Sequence, residues 1–127
     1  ARWREINRVS GSVAPPVPPI RIACDVSNPL LGPRGAAATY GPQKGLRAVD
    51  LPRLDHESAR LATMLCSHFQ KPDSLQETPG AGAAGGISFG LMAATGAELT
   101  VTQKYWPRIE FHTTREHTGL AAAEASA

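Results

Sequence analysis

The sequence predicts an α/β domain in which two short strands flank a helical middle. Apolar and β-branched residues run from Ile20 to Val26, between a proline cluster and a Ser-Asn-Pro turn, which is typical of a short buried strand. Residues 97–101 form a second short segment with strand character. Between the two, apolar residues recur at the three- and four-residue steps of helices. This order of elements favours one α/β unit.

Length and composition narrow the possible classes of protein. A chain of 127 residues with 42% hydrophobic residues is long enough for one domain with a single core. The 13 Lys and Arg residues nearly balance the 11 Asp and Glu residues, so we expect no nucleic-acid partner. Cys24 and Cys66 are isolated thiols without the spacing of a zinc site, which favours a reducing compartment.

We expect neither a secretory signal nor a membrane span. The first residues carry arginines but no apolar core of the kind that a secretory signal needs. The longest weakly polar stretch, residues 79–99, is dominated by Gly and Ala and is interrupted by polar residues, which fits close helix packing better than contact with lipid. A cytoplasmic or organelle-matrix location, without a membrane partner, is the resulting expectation.

The longest predicted helix spans Leu51 to Phe69. Its apolar positions recur at helical spacing, Asp50 is placed as its N-terminal cap, and Pro52 lies in its first turn. The helix is expected to end before Pro72, because the residue that precedes a proline is displaced from the helical region.

Two further predicted helices are rich in small residues. Residues 33–40 begin at a proline, which loses nothing at the first helical position, and they stop at Gly41. Residues 82–95 contain four glycines, each of which costs up to about 1 kcal/mol relative to alanine inside a helix. Other contacts must offset that cost. Gly96 suits a left-handed cap at the end of this helix.

The two ends of the chain differ in character from the middle. Residues 1–19 combine charges with a proline cluster and are predicted to form a linker or tail. Residues 20–102 carry the predicted strands and helices. Residues 103–127 show no sustained periodicity and are predicted to form a divergent C-terminal tail, with its alanine-rich end mobile.

A glycine cluster, Gly80-x-Gly82-x-x-Gly85-Gly86, opens the third predicted helix. Glycines at such a place let the backbone approach a phosphate. A dinucleotide fingerprint also needs a strand just upstream, but residues 74–78 are polar, so that fingerprint is not supported. Two interpretations stay open: a turn whose N–H groups hold an anion, or close helix packing that a larger residue would block.

Three polar side chains stand beside turns. Lys44 lies in Gly41-Pro42-Gln43-Lys44-Gly45, where its ammonium group would be held for a phosphate or carboxylate oxygen, or would simply face solvent. Asp25 and Asn28 lie near the end of the first strand. They suit a substrate hydroxyl or Mg²⁺, which prefers oxygen ligands, and they equally suit a turn closed by side-chain hydrogen bonds to the backbone.

The histidines and serines form no recognisable catalytic or metal-binding pattern. His68 falls on the apolar face of the longest helix, where a satisfied, partly buried histidine is expected. Surface positions are expected for the other histidines, which are His56, His112 and His117. No serine lies in a nucleophile elbow, so a hydrolase triad is not supported. Packing roles are expected for Trp3 and Trp106.

Three segments, in this order, resemble the bacterial-type glycerate kinase family. They are ACDVSNPLLGPRGAAATYGPQKG, which begins at Ala23, then Leu54-Asp55 inside the longest helix, and PGAGAAGG, which begins at Pro79 and leads into GAEL. The resemblance covers residues 22–99. It implies a mixed-sheet lobe of a two-lobed α/β fold, incomplete in this chain, with residues 20–102 as the inner lobe.

The resemblance also implies an activity: the ATP-dependent phosphorylation of D-glycerate to a phosphoglycerate, with Mg²⁺ carrying the nucleotide. Asp25, Asn28 and Lys44 fall on the family's motifs, and we predict that they bind substrate and that Asp25 also contacts the metal. The glycine cluster, namely Gly80, Gly82, Gly85 and Gly86, also falls on a family motif, and we predict that it binds phosphate. All of these residues would face the cleft between the lobes.

The family's N-terminal segments, which contain aspartate and glycine, and its later TGEGR-type segment have no counterpart in this chain. Phosphoryl transfer depends on several groups acting together, so one lobe is expected to be nearly inert alone. The alternative is a non-catalytic domain of the same fold that binds a partner or an anionic metabolite. Surface that a second lobe would cover predicts binding of that lobe, or self-association.

Overall fold

The computed structural model describes residues 3–102, which form an α/β unit as predicted. In chain order its principal elements are β1 (Arg21–Cys24), α1 (Ala36–Tyr40), α2 (Leu51–His68), α3 (Ile87–Thr95) and β2 (Glu98–Val101). None of the helices within this range has the length and apolarity needed to cross a bilayer. The predicted C-terminal tail lies outside the described residues, as do Trp106, His112 and His117.

The two strands pair in parallel. Arg21 lies opposite Glu98, and Cys24 lies opposite Val101. A parallel pair needs a long crossover connection, and all three helices lie in that connection. One more hydrogen bond extends the ladder at its far end, where the Thr102 N–H donates to the Cys24 carbonyl at 2.9 Å. Both strands are therefore held by partners that are distant in sequence.

Helix α2 begins at Leu51 as predicted, but the predicted capping role of Asp50 is wrong. The Asp50 side chain makes no capping hydrogen bond, because its backbone is already helical (φ −91°, ψ −13°) rather than extended. Its carboxylate instead accepts a hydrogen bond from Arg47 Nε at 2.8 Å and lies 3.5 Å from Arg53 Nη2. The hydrogen bond from Arg47 lowers the pKa of the Asp50 carboxyl group.

Helix α3 begins five residues later than predicted. Ala84 (φ 52°), Gly85 (φ 73°) and Gly86 (φ 100°) all adopt left-handed backbone conformations, which a right-handed helix cannot contain. The helix therefore starts only at Ile87. The predicted end is confirmed, because Gly96 forms a left-handed cap at φ 70°.

Helix α1 also begins later than predicted. Residues 32–35 form a turn in which the Gly35 N–H donates to the Gly32 carbonyl at 2.9 Å. Gly35 has an extended backbone (φ −75°, ψ 177°), so a helix cannot run without interruption from Pro33 into Ala36. The helix starts at Ala36 and ends at Tyr40, before Gly41 as predicted.

The core lies between α2, α3 and the loop after β1. Small and apolar side chains form it: Leu30, Ala62, Cys66, Ala81, Phe89, Met92 and Ala93. From the strands, Ile22 and Leu99 pack against this cluster. Burial of this apolar surface is the main favourable contribution to folding.

An N-terminal strap, defined as residues 3–12, runs along α2. Arg60 on α2 donates from Nη2 to the Trp3 carbonyl and from Nη1 to the Ile6 carbonyl, both at 2.7 Å. Further along the helix, His68 Nε2 donates to the Gly11 carbonyl at 2.6 Å. The domain boundary predicted near residue 19 stays a prediction.

The two thiols should differ sharply in reactivity. Cys66 is 1% exposed, and burial raises the pKa of its thiol because the thiolate would lose its hydration. Cys24 is half-buried. We expect iodoacetamide near pH 8, close to the ordinary thiol pKa of about 8.5, to modify Cys24 in the folded chain and Cys66 only in denaturant. A Cys24→Ser variant should therefore take up no label until it unfolds, and rapid labelling of that variant would contradict the buried position of Cys66.

Candidate functional site

Four of the seven predicted site residues line two neighbouring cavities, whereas Asn28, Gly80 and Gly82 line neither of them. The helical cavity, of about 390 Å³, lies among α1, α2 and the start of α3, and Lys44, Gly85 and Gly86 are among its lining residues. The sheet cavity, of about 450 Å³, lies between β1 and α3, and Asp25 is among its lining residues. Tyr40 and Ile87 line both cavities. Both volumes fall within the range of small-molecule sites, about 300–1,000 Å³.

Lys44 stands exposed at the edge of the helical cavity. Its turn is closed by main-chain hydrogen bonds, including one from the Lys44 N–H to the Gly41 carbonyl at 2.9 Å. Gly45 follows in a left-handed conformation at φ 81°. Among the described residues that line this cavity, Lys44 alone carries a charge. An anionic group that approaches the cavity mouth would therefore meet one positive charge held on a defined turn.

The Asn28 side chain is occupied by internal hydrogen bonds. Its Nδ2 donates to the Arg34 carbonyl at 2.8 Å and to Thr39 Oγ1 at 3.1 Å, and its Oδ1 accepts from the Tyr40 hydroxyl at 3.2 Å. Both amide hydrogens and one lone pair are thereby used. Asn28 thus joins the loop after β1 to α1, and any contact with substrate would use its remaining lone pair or replace one of these bonds.

Asp25 differs from Asn28 in that its carboxylate is exposed and has no hydrogen-bond or ion-pair partner within residues 3–102. In the same part of the chain, no group of three or more His, Cys, Asp or Glu residues is arranged to hold a metal ion. Mg²⁺ at phosphotransfer sites is commonly held by one or two carboxylates together with substrate phosphates. A single free carboxylate beside a cavity fits an ion that arrives with a nucleotide.

The glycine cluster donates its N–H groups to main-chain carbonyls. Gly80 and Gly82 both donate to the Asn28 carbonyl, at 3.2 and 2.9 Å, while Gly85 and Gly86 donate within the turn itself, each at 3.1 Å. The four glycine amides are thus engaged internally. By contrast, the N–H groups of Ile87 and Ser88, in the first turn of α3, donate to no carbonyl among residues 3–102.

Close packing accounts for two of the glycines directly. A Cβ atom at Gly82 would lie 2.2 Å from the Pro29 carbonyl oxygen, and one at Gly80 would lie 2.7 Å from Cys24 Sγ. Both distances are shorter than van der Waals contact. The cluster therefore allows the glycine turn to lie against the loop after β1, which brings the Gly80–Gly86 segment and Asn28 together.

Two residues that were not predicted to take part also organise the site. Tyr40 lines both cavities and donates to Asn28. Asp55 on α2 accepts the Gly32 N–H at 3.1 and 3.2 Å, which ties the turn before α1 to α2. Both residues belong to the segments that carry the family resemblance, which is the feature of the sequence that could have indicated their roles.

An Asn28→Asp substitution should destabilise the chain by about 1–3 kcal/mol near neutral pH, because it removes two hydrogen bonds that contribute about 0.5–1.5 kcal/mol each. The new carboxylate cannot donate to Arg34 or Thr39, and it faces a carbonyl oxygen. The folded-state pKa of this carboxyl group should be raised, so the part of the loss that is due to its charge should diminish as pH falls through that value and should vanish below the unfolded-state value of about 4. Denaturant titrations at several pH values measure this. The control is Asn7→Asp at an exposed position; equal effects of the two substitutions would contradict the hydrogen-bond account.

Comparison with known proteins agrees with the resemblance of the motifs. A model of the glycerate kinase family matches residues 4–109. The glycerate 2-kinase of Escherichia coli is 44% identical over 80 residues, which is 63% of this chain and 20% of that protein. A glycerate kinase of Halalkalibacterium halodurans is 42% identical over 80 residues, with the same two shares. The chain thus spans about a fifth of the length of these curated relatives.

A solved structure agrees as well. The crystal structure of a protein assigned as glycerate kinase 2 from Salmonella typhimurium LT2 superposes with a TM-score of 0.59 at 41% identity, over 65% of this chain and 22% of that chain. The match in sequence and the match in structure thus point to the same group of proteins. The chain belongs to the glycerate kinase family.

Proposed function

We propose that this chain forms part of the substrate site of a glycerate kinase, which transfers the terminal phosphoryl group of ATP to a hydroxyl of D-glycerate. The observation that carries the proposal is that residues of the family-like motifs line two adjoining cavities inside the segment that matches the family. The curated relatives named as glycerate kinases support the choice of reaction. A cytoplasmic location would suit ATP as the phosphate donor.

In this proposal, Lys44 neutralises negative charge on a phosphate or on the glycerate carboxylate. Its exposed position on a rigid turn supports the role, because a point charge needs a fixed place but no fixed hydrogen-bond angle. Transfer of a phosphoryl group depends mainly on such positioning and charge stabilisation. Removal of Lys44 should therefore weaken the binding of anions without unfolding the chain.

Asp25 and Asn28 are proposed to orient a substrate hydroxyl, and Asp25 is also proposed to contact the Mg²⁺ of the nucleotide. The free carboxylate of Asp25 supports this role. The hydrogen bonds of Asn28 make it a rigid neighbour whose remaining lone pair can accept from a hydroxyl. Bound Mg²⁺ would supply charge neutralisation at the phosphates.

The glycine cluster is proposed to lie beside the phosphate oxygens. Because the N–H groups of Gly80, Gly82, Gly85 and Gly86 are engaged, the cluster would not act by donating many hydrogen bonds. Gly80 and Gly82 would hold the turn against the loop after β1, and the phosphates would approach the backbone at Gly85, where a Cβ atom would meet nothing within 4 Å. Gly85 and Gly86 line the same cavity as Lys44, which supports a shared phosphate subsite.

A turnover assay with Mg²⁺, ATP and D-glycerate tests the proposal. Formation of phosphoglycerate that disappears in Asp25→Asn would support catalysis by this chain and would exclude the non-catalytic alternative. Ligand binding without turnover would mean that the chain supplies a binding site and needs a second lobe for chemistry. Absence of both in a folded sample would contradict the proposed function.

A further inference from the structure

Trp3 lies in the wall of the helical cavity. It is half-buried there, and it shares the lining with two other aromatic side chains, Tyr40 at the end of α1 and Phe89 in α3. The rest of the lining is mostly aliphatic: Leu30, Leu54, Leu61 and Leu65 are examples. Three aromatic residues from three separate parts of the chain therefore surround one apolar space.

The strap holds Trp3 in this position through its backbone. The Arg60 guanidinium donates to the carbonyls of Trp3 and Ile6, both at 2.7 Å, and lies 3.3 Å from the Glu57 carboxylate. The Arg60 side chain is only 33% exposed, so these bonds are partly shielded from competing water. Arg60 thus acts as a positioning residue for Trp3.

The chemistry of the helical cavity favours a flat aromatic group that is linked to an anion. Its walls offer many apolar contacts and few polar partners, which suits a purine and does not suit D-glycerate, whose hydroxyls and carboxylate need hydrogen bonds. Bases stack readily on aromatic side chains. The single charge in the described lining, on Lys44 at the edge, is complementary to phosphates that would leave the cavity there.

We propose that the helical cavity is the subsite for the adenine base of ATP and that Trp3 forms its outer wall. This inference rests on the proposed function, since it requires that the chain bind ATP. The sheet cavity is then left for the hydroxy acid, whose hydroxyl groups can donate to the Asp25 carboxylate. In this arrangement the two substrates meet at Tyr40 and Ile87, the residues that line both cavities.

Tryptophan fluorescence and calorimetry on the full chain test the assignment. The chain has two tryptophans, so a Trp106→Phe background leaves Trp3 as the single reporter. Magnesium-ATP should quench Trp3 emission saturably, whereas magnesium tripolyphosphate, which has no base, should bind without quenching. Trp3→Ala should weaken magnesium-ATP binding about tenfold, as expected for the loss of one base-aromatic stack, and should leave tripolyphosphate binding unchanged. Trp3→Phe should restore most of the affinity.

The positioning role of Arg60 has its own readout. Arg60→Gln should shift Trp3 emission to longer wavelength and weaken magnesium-ATP binding as much as Trp3→Ala does, and the two changes together should weaken it no further. Arg21→Gln, at an exposed position of β1 that lines neither the helical nor the sheet cavity, is the control and should change neither signal.

The outcomes separate the two proposals. If magnesium-ATP binds but Trp3→Ala leaves its affinity unchanged, or if ATP and tripolyphosphate bind equally well, the base subsite is wrong and the proposed function stands. If the folded chain binds neither compound, the nucleotide site of the proposed function is wrong, and the base subsite is wrong with it.

Discussion

Replacement of Gly82 by alanine is expected to destabilise the chain by about 3 kcal/mol, at the upper end of the usual cost of overpacking. The new methyl group would lie 2.2 Å from the Pro29 carbonyl oxygen. Neither can rotate away, because the methyl carbon is bonded directly to Cα and the oxygen belongs to the backbone. The backbone at Gly82 (φ −78°, ψ −6°) is itself suitable for alanine, so the expected loss comes from the contact and not from backbone strain. Urea unfolding followed by circular dichroism measures it.

Gly90→Ala is the matched control for this substitution. Gly90 lies inside α3, and a Cβ atom there meets nothing within 4 Å. Alanine should therefore stabilise the helix by up to about 1 kcal/mol. The same chemical change should thus have opposite signs at two positions of one segment. A loss of less than about 0.5 kcal/mol in Gly82→Ala, the usual range of a neutral surface change, would contradict the close approach of the glycine turn to the loop after β1.

Met92→Ala is expected to cost about 2–5 kcal/mol, the range for truncation of a large core side chain to alanine. Met92 is 5% exposed and belongs to the central apolar cluster with Phe89 and Ala93. A loss of that size is a large part of the total stability of a small domain, about 5–15 kcal/mol. The variant should therefore unfold at a much lower urea concentration than the parent chain.

Met92→Leu controls for the identity of the side chain. It keeps the apolar volume, so its cost should stay below about 1.5 kcal/mol. If the alanine and leucine variants unfold at the same urea concentration, Met92 does not fill the core, and the packing of α3 described above would be incorrect.

The parts of the fold that depend on local patterns could be predicted from the sequence. Helix α2 repeats apolar residues over eighteen positions, and its observed range of Leu51–His68 differs from the prediction by one residue. Gly96 ends α3 in the left-handed conformation that its position suggests. Both features rely on the spacing of nearby residues, which the sequence states directly.

The start of α3 depends on contacts between distant segments and could not be predicted. Ala84 favours helices, yet it adopts φ 52° because the turn around it is held by hydrogen bonds from Gly80 and Gly82 to the Asn28 carbonyl. The role of Asp50 likewise follows from the placement of the Arg47 guanidinium. Local preference was overridden in each case by tertiary partners.

In the candidate site, too, local features could be predicted and contacts between distant segments could not. The motif residues could be identified from their residue types and from the family resemblance, but their arrangement could not. Asn28 finds its partners six, eleven and twelve residues along the chain. Trp3, which was expected to serve only in packing, reaches the helical cavity because Arg60, 57 residues further on, binds its carbonyl. Contacts between residues so far apart leave no periodic pattern in the sequence.

The central claim is that Lys44 belongs to a real anion site at the mouth of the helical cavity. Isothermal titration of the chain with magnesium-ATP and, separately, with D-glycerate tests this claim most directly. The titrations are repeated on Lys44→Ala and on the control Arg8→Ala, which removes an exposed charge from the strap. We predict measurable heat of binding in the parent chain. The affinity should be at least about tenfold weaker in Lys44→Ala, equivalent to about 1.4 kcal/mol, and unchanged in Arg8→Ala. Equal affinity in both variants, or no heat with either ligand in a folded sample, would contradict the account.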